Sequence, residues 1–168
     1  QCMLGRVSFG NDEILAAMQA CPGRILGYAS FWGGDGGAVA AEAAKRIGQG
    51  FIGLKFHSNN GFSYDEPSYD AALAMANERR MPVLLHTWGR DEEFSQVRKL
   101  TEKHPQISFI MAHAGCAKAE QYARIARDCQ RVYLDTTLSR RLPDTIPYLV
   151  QEAGAEKVLF GSDCYFFG

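Results

Sequence analysis

Six short apolar runs recur along this chain, each separated from the next by a stretch with helical patterning. They begin near residues 25, 51, 83, 107, 132 and 158. One unit therefore takes roughly 25–30 residues, the length of a strand plus a crossover helix. The runs are continuous rather than alternating, which predicts strands covered on both faces in a parallel sheet. Between them, residues 38–47, 66–80, 92–104, 118–129 and 144–153 read as helices, with Gly48, Pro105 and Gly154 as stop signals. Residues 11–21 read as a further helix before the first strand, with Asn11 as its cap and Pro22-Gly23 as its end. The glycine-rich stretch at residues 33–37 reads as a flexible surface loop.

This alternation fits two α/β architectures, an open doubly wound sheet and a (β/α)₈ TIM-type barrel. The glycine fingerprint that would join a strand to a helix in a dinucleotide-binding sheet is absent, which removes that version's main sign. At 168 residues the chain reads as a single domain, residues 1–168. A net charge of −1 gives no reason to expect nucleic acid or an anionic membrane as partner. No apolar run approaches the ~20 residues that span a bilayer, and no secretory leader opens the sequence. Five cysteines, odd in number and without a C-x-x-C, argue against a disulfide scaffold or structural zinc cluster. They suit a reducing compartment, the cytoplasm.

The polar residues gather at the C-terminal ends of the runs: Lys55 and His57, His86, His113, Asp135 and Asp163. In barrels that face carries the chemistry, because groups arrive there from the ends of many strands. One histidine ending a strand is more often a hydrogen-bonded structural residue. Several such ends at a regular repeat predict that His86, His113 and Asp163 converge on one site. Trp32, Trp88 and Arg140 fall in or near the loops of that face and are candidates for substrate contact. His104, before Pro105, is expected to interact with a helix C-terminus instead.

Leu84-Leu85-His86, Met111-Ala112-His113-Ala114-Gly115 and Leu159-Phe160-Gly161-Ser162-Asp163 together resemble the amidohydrolase superfamily in order and spacing. The branch resembled includes aminocarboxymuconate-semialdehyde decarboxylase, and Gly50-Phe51-Ile52-Gly53-Leu54-Lys55 is similar to its fourth strand. The likeness runs over residues 11–166. It implies a (β/α)₈ barrel of which this chain supplies strands three to eight, the last helix being absent. It also implies a metal-dependent hydrolase acting on an amide, ester or lactone-like small molecule, or non-oxidative decarboxylation on the same site. By that resemblance His86 and Asp163 are metal ligands, with Asp163 also the general base. His113 orients or deprotonates the attacking water, or polarises the substrate. Zinc is the first expectation, with manganese, iron or cobalt also suited to such ligands. Lys55 is a bridging ligand in binuclear relatives, but pairing with Asp135 is an equal reading. Lys55, His57, Trp88 and Arg140 are the expected substrate contacts.

The resemblance lacks one part. The family's strand-one His-x-His pair does not occur here, and a full barrel takes ~250 residues. The chain reads as a fragment, two βα units short and inactive alone, with two unpaired sheet edges. Two rivals stand beside this reading. One is a TatD-type metal-dependent deoxyribonuclease, disfavoured by the Leu54-Lys55-Phe56-His57 stretch and by the near-neutral charge. The other is a non-catalytic barrel fragment or binding scaffold. The sequence leaves association into homo-oligomers open.

Overall fold

Six parallel strands lie side by side in chain order in the computed structural model, which describes residues 6–139 and 143–163. They are β1 (Tyr28–Ser30), β2 (Gly53–His57), β3 (Pro82–His86), β4 (Ser108–Met111), β5 (Val132–Asp135) and β6 (Val158–Leu159). Helix α1 (Val7–Ala20) precedes them. The connections are α2 (Gly36–Gly48), α3 (Asp70–Glu78), α4 (Asp91–Lys103), α5 (Ala119–Asp128) and α6 (Thr145–Ala153). A doubly wound sheet reverses its strand order at a switch point. This one advances neighbour to neighbour without reversal, which is the progression of a barrel. The fold is an incomplete (β/α)₈ arrangement, with β1 and β6 as its two edges.

The strands do not read as equally buried on both faces. Val83, Leu85, Phe109, Met111, Val132 and Leu134 are fully buried and alternate with half-buried residues. The buried set forms one core with helix residues such as Leu73, Val97, Ile125 and Leu149. The half-buried set, including Lys55, His57, Leu84, His86 and Asp135, is on the opposite face. Successive side chains alternate across a strand, so that face is the inside of an arc still open to solvent. Continuous apolar runs were expected to mean full cover on both sides. Six strands cover only one.

Three further expectations change. Asn11 does not cap α1 but sits inside it, buried, with its side chain bonded to Ser30 N (2.9 Å), Ser30 O (3.0 Å) and Glu42 Oε1 (2.9 Å). Local capping preference gives way to the open backbone of an edge strand. The glycine-rich stretch is not simply a loop, because Asp35 caps α2 through Ala38 N and Gly36 already lies in the helix. β6 has two residues rather than a buried run, and Phe160 is 89% exposed. With one sheet neighbour, nothing on its far side covers that ring among the described residues. Cys21, Cys116 and Cys129 form no disulfide among the described residues, while Cys2 and Cys164 fall outside them. Among the described residues no helix is long and apolar enough to cross a membrane.

Arg46 ties α1 to α2. Its guanidinium is fully buried, 2.6 Å from Glu42 Oε1 and 2.6 Å from Asp12 Oδ1, and it donates to Ser8 O at 3.1 Å. Asp12 is mostly exposed, so water screens that contact. Glu42 is the more sheltered partner, 17% exposed. Arg46→Ala leaves that carboxylate with Asn11 but no charge partner and should cost about 2–4 kcal/mol in urea denaturation. An unchanged unfolding midpoint would refute the clamp.

Candidate functional site

A cavity of about 550 Å³ opens at the C-terminal ends of the strands. Strand register builds it. Ser30 pairs with Lys55, Lys55 with Leu84, and His57 with His86. Residues in register on parallel strands share a face, so these side chains line one wall. The His57 and His86 rings stack, with centroids 3.7 Å apart and planes at 18°. His86 is the last residue of β3, and Asp135 is the last of β5.

His113 and Asp163 reach the cavity differently. Each lies beyond its strand and has positive φ, 58° for His113 and 49° for Asp163. Left-handed backbone is strained for such residues and persists where the surroundings enforce it. His113 Nε2 lies 3.2 Å from His86 Nδ1, and His113 Nδ1 lies 3.4 Å from Thr137 O. Trp88 stacks on the His113 ring (4.8 Å, 17°) and stands edge-on to His86 (5.0 Å, 77°). Gly161 passes so close to the Asp135 carboxylate and the Thr137 hydroxyl that a Cβ there would collide with both.

Buried polar groups hold the tip of β3 from behind. The His86 carbonyl accepts from Ser58 Oγ (3.1 Å) and from Tyr64 OH. Thr87 Oγ1 donates to Ala112 O at 2.5 Å and accepts from Tyr122 OH at 2.9 Å. Burial raises both phenols, which keeps them as O–H donors. Glu93, the third residue of α4, accepts from Trp88 N (2.8 Å) and Arg90 N (3.0 Å) through one oxygen. Nothing in the sequence marked these supports as a group. Their one visible sign is Tyr64, an aromatic in a mostly polar loop that turns out wholly buried.

Burial lowers the basicity of all three cavity histidines. His57 falls to about 4, with Lys55 and His113 adding to the effect. His86 falls further, by burial and then by His57 and Lys55. His113 also falls by burial, and its bond to Thr137 partly opposes the shift. Near neutral pH these imidazoles are uncharged. Burial brings Lys55 down to about 8 against the opposing fields of Asp135 and Asp163. The expected Lys55–Asp135 contact does not form as an ion pair. Asp135 instead accepts from Thr137 N at 3.0 Å.

His86 Nε2 is buried and has no partner among the described residues. An unpaired imidazole nitrogen in a cavity that carboxylates also line suits a borderline divalent cation in kind. Among the described residues no three His, Cys, Asp or Glu side chains are arranged to hold a metal by themselves. The residues present therefore fit part of a ligand shell. Trp32 is exposed and does not line the cavity, and Arg140 lies outside the described residues. His104 sits at the C-terminal end of α4, as expected, but burial lowers its pKa and the ring supplies no full charge there.

Residues 4–167 match the family profile described as amidohydrolase. No curated protein matches the chain. Its fold is shared with an uncharacterised TIM-barrel protein from Bordetella bronchiseptica (15% identity, TM-score 0.78, 92% of this chain and 59% of that one). It is also shared with a protein provisionally called an amidohydrolase from Staphylococcus aureus (15%, 0.77, 95% and 68%). A third is 4-oxalomesaconate hydratase from Rhodopseudomonas palustris (15%, 0.70, 95% and 57%). At such identity the likeness concerns the fold alone. The chain spans 59% of the length of the first of these structures.

The supports behind β3 give a direct test. Glu93→Ala leaves the Trp88 and Arg90 amides without their acceptor and should cost about 1–3 kcal/mol. In a Trp32→Phe background the remaining tryptophan, Trp88, should change its emission as it leaves the His113 ring. Unaltered stability and emission would show that the loop holds itself.

Proposed function

The chain belongs to the amidohydrolase family, and we propose that it forms the larger part of the active face of a metal-dependent hydrolase, or of a lyase that decarboxylates on the same site. The observation that carries this reading is the buried Nε2 of His86, without a partner among the described residues, in the wall of a cavity shared with Asp135 and Asp163. Amidohydrolases generally depend on a metal.

In this reading His86 and Asp163 would hold a divalent cation, zinc before manganese, iron or cobalt. When bound, that group would supply a water acidified toward neutral pH. Asp163 would take the proton of the attacking water and return it to the leaving group. Lys55 lines the same cavity, forms no ion pair among the described residues and is available to a substrate oxygen. Leu84, Trp88 and Ala112 exclude water on the apolar side. A cavity of this size, mostly apolar with a few polar groups, suits a small organic molecule. The partner is accordingly a small molecule rather than a polymer.

His86→Ala and Asp163→Ala, each made in the full reading frame, should remove bound metal as measured by elemental analysis. Both should abolish metal-dependent turnover of amide, ester, lactone or carboxylate test substrates. Full metal content and turnover in either variant would sink the assignment of that residue.

A further inference from the structure

Left-handed backbone is rare at a bulky residue, and Leu138 has φ 64°. It is the third residue of a turn closed by Ser139 N on Thr136 O at 3.0 Å. Ser139 ends that turn with its side chain inside, fully buried. Its hydroxyl donates to the carbonyl of Ala114, a residue that is also fully buried. Ala114 belongs to a second turn, closed by Cys116 N on His113 O at 3.0 Å. The carbonyl that Ser139 holds is the one in the middle of this turn.

The middle peptide of such a turn can face either of two ways. One gives a type I turn, the other a type II turn, which needs positive φ at the third residue. Gly115 is that residue, with φ 80°. Glycine accepts either sign of φ, so its own sterics do not choose. Ser139 does, because its bond forms with the peptide facing one way only. The amide of Ala114 is fixed too, donating to Asp135 O at 2.9 Å. Both polar groups of Ala114 are therefore held by the end of β5 and the segment after it. His113, the residue before Ala114, is itself left-handed, and such backbone persists only where its neighbours enforce it.

We propose that Ser139 is a positioning residue that acts through the Ala114 carbonyl: it sets the turn after β4, and with it the place of the His113 ring against Trp88 in the cavity wall. The placement stands by itself, and only its consequence for turnover rests on the function proposed above. Satisfying a buried carbonyl is something any buried hydroxyl would do. The geometry says more than that. The hydroxyl comes from a turn strained by a left-handed leucine, and it meets the one peptide whose orientation glycine leaves free. The same segment also reaches the ring, since Thr137 O faces His113 Nδ1 at 3.4 Å. Thr145, the first residue of α6, closes on the turn as well, so that a Cβ on Gly115 would collide with its methyl group. The turn after β4 thus takes its shape from the connection between β5 and α6.

Proton NMR of the chain tests the placement without substrate or metal. The His113 ring lies over Trp88 at 4.8 Å and 17°, so its carbon-bound protons should resonate upfield of their ordinary positions. They are assigned by their loss in His113→Gln. Ser139→Ala should abolish most of that upfield shift, and Ser139→Thr, which keeps the hydroxyl, should restore it. Ile107→Val loosens the core at the other end of β4 and should leave it in place. Unmoved His113 signals in Ser139→Ala would overturn the proposal, as would equal movement in Ile107→Val, which would mean general loosening. Should Ser139→Ala not fold, Ser139→Cys takes its place, having nearly the same shape and a weaker donor, and should lose part of the shift. In the full reading frame Ser139→Ala should keep its metal content and lose turnover of the same test substrates about 10–100-fold. Undiminished turnover in a variant whose His113 signals had moved would overturn the functional half. A parent without any turnover would sink the function proposed above, while the spectra still decide what Ser139 holds.

Discussion

Strand register is the constraint on which the site depends. β2 and β3 are parallel and paired so that His57 stands opposite His86. A slip of one residue would send every side chain of one strand to the opposite face. The pair would then be split between the cavity and the helix-packed core. Register is protected by that core, since Leu54, Phe56, Val83 and Leu85 are all fully buried. Chemistry on the inner face is thus positioned by hydrophobic packing on the outer one.

The tips of the strands need more than packing. Past its last paired residue a strand has no ladder to hold it, and β3 meets that problem with side chains. Ser58 and Tyr64 hold the carbonyl of His86, Tyr122 holds Thr87, and Glu93 holds the amides of Trp88 and Arg90. The result is a histidine whose backbone is bonded on both sides before any ligand arrives. Preorganisation of this kind lowers the cost of binding, because the ordering is done during folding. The left-handed backbone at His113 and Asp163 belongs to the same design.

Much of this was legible in the sequence, for physical reasons. Buried apolar runs at a steady repeat reveal strands, and a polar residue ending such a run reveals what the strand delivers. His57, His86 and Asp135 were readable in this way, and all three line the cavity. The edges were less legible. Residues 25–31 look like a full strand, but β1 has three residues and Leu26 is 60% exposed, because an edge strand is sheltered on one side only. Asn11 has the residue type of a helix cap, and only the fold reveals the backbone it serves. Tyr64 and Tyr122 reach β3 across sequence separations that no local pattern records, while Glu93 acts locally, at the third position of α4.

Asn11 also decides how the sheet ends. Ser30 turns both its amide and its carbonyl away from β2, and both are taken by the one side-chain amide. That amide is itself bonded to Glu42, which is bonded to Arg46. The last residue of this edge therefore has no backbone bond left to offer. A strand laid beside β1 could bond at Tyr28, but at the tip it would find a hem already sewn. Among the described residues the cavity wall beside Ser30 meets a helix side chain rather than another strand.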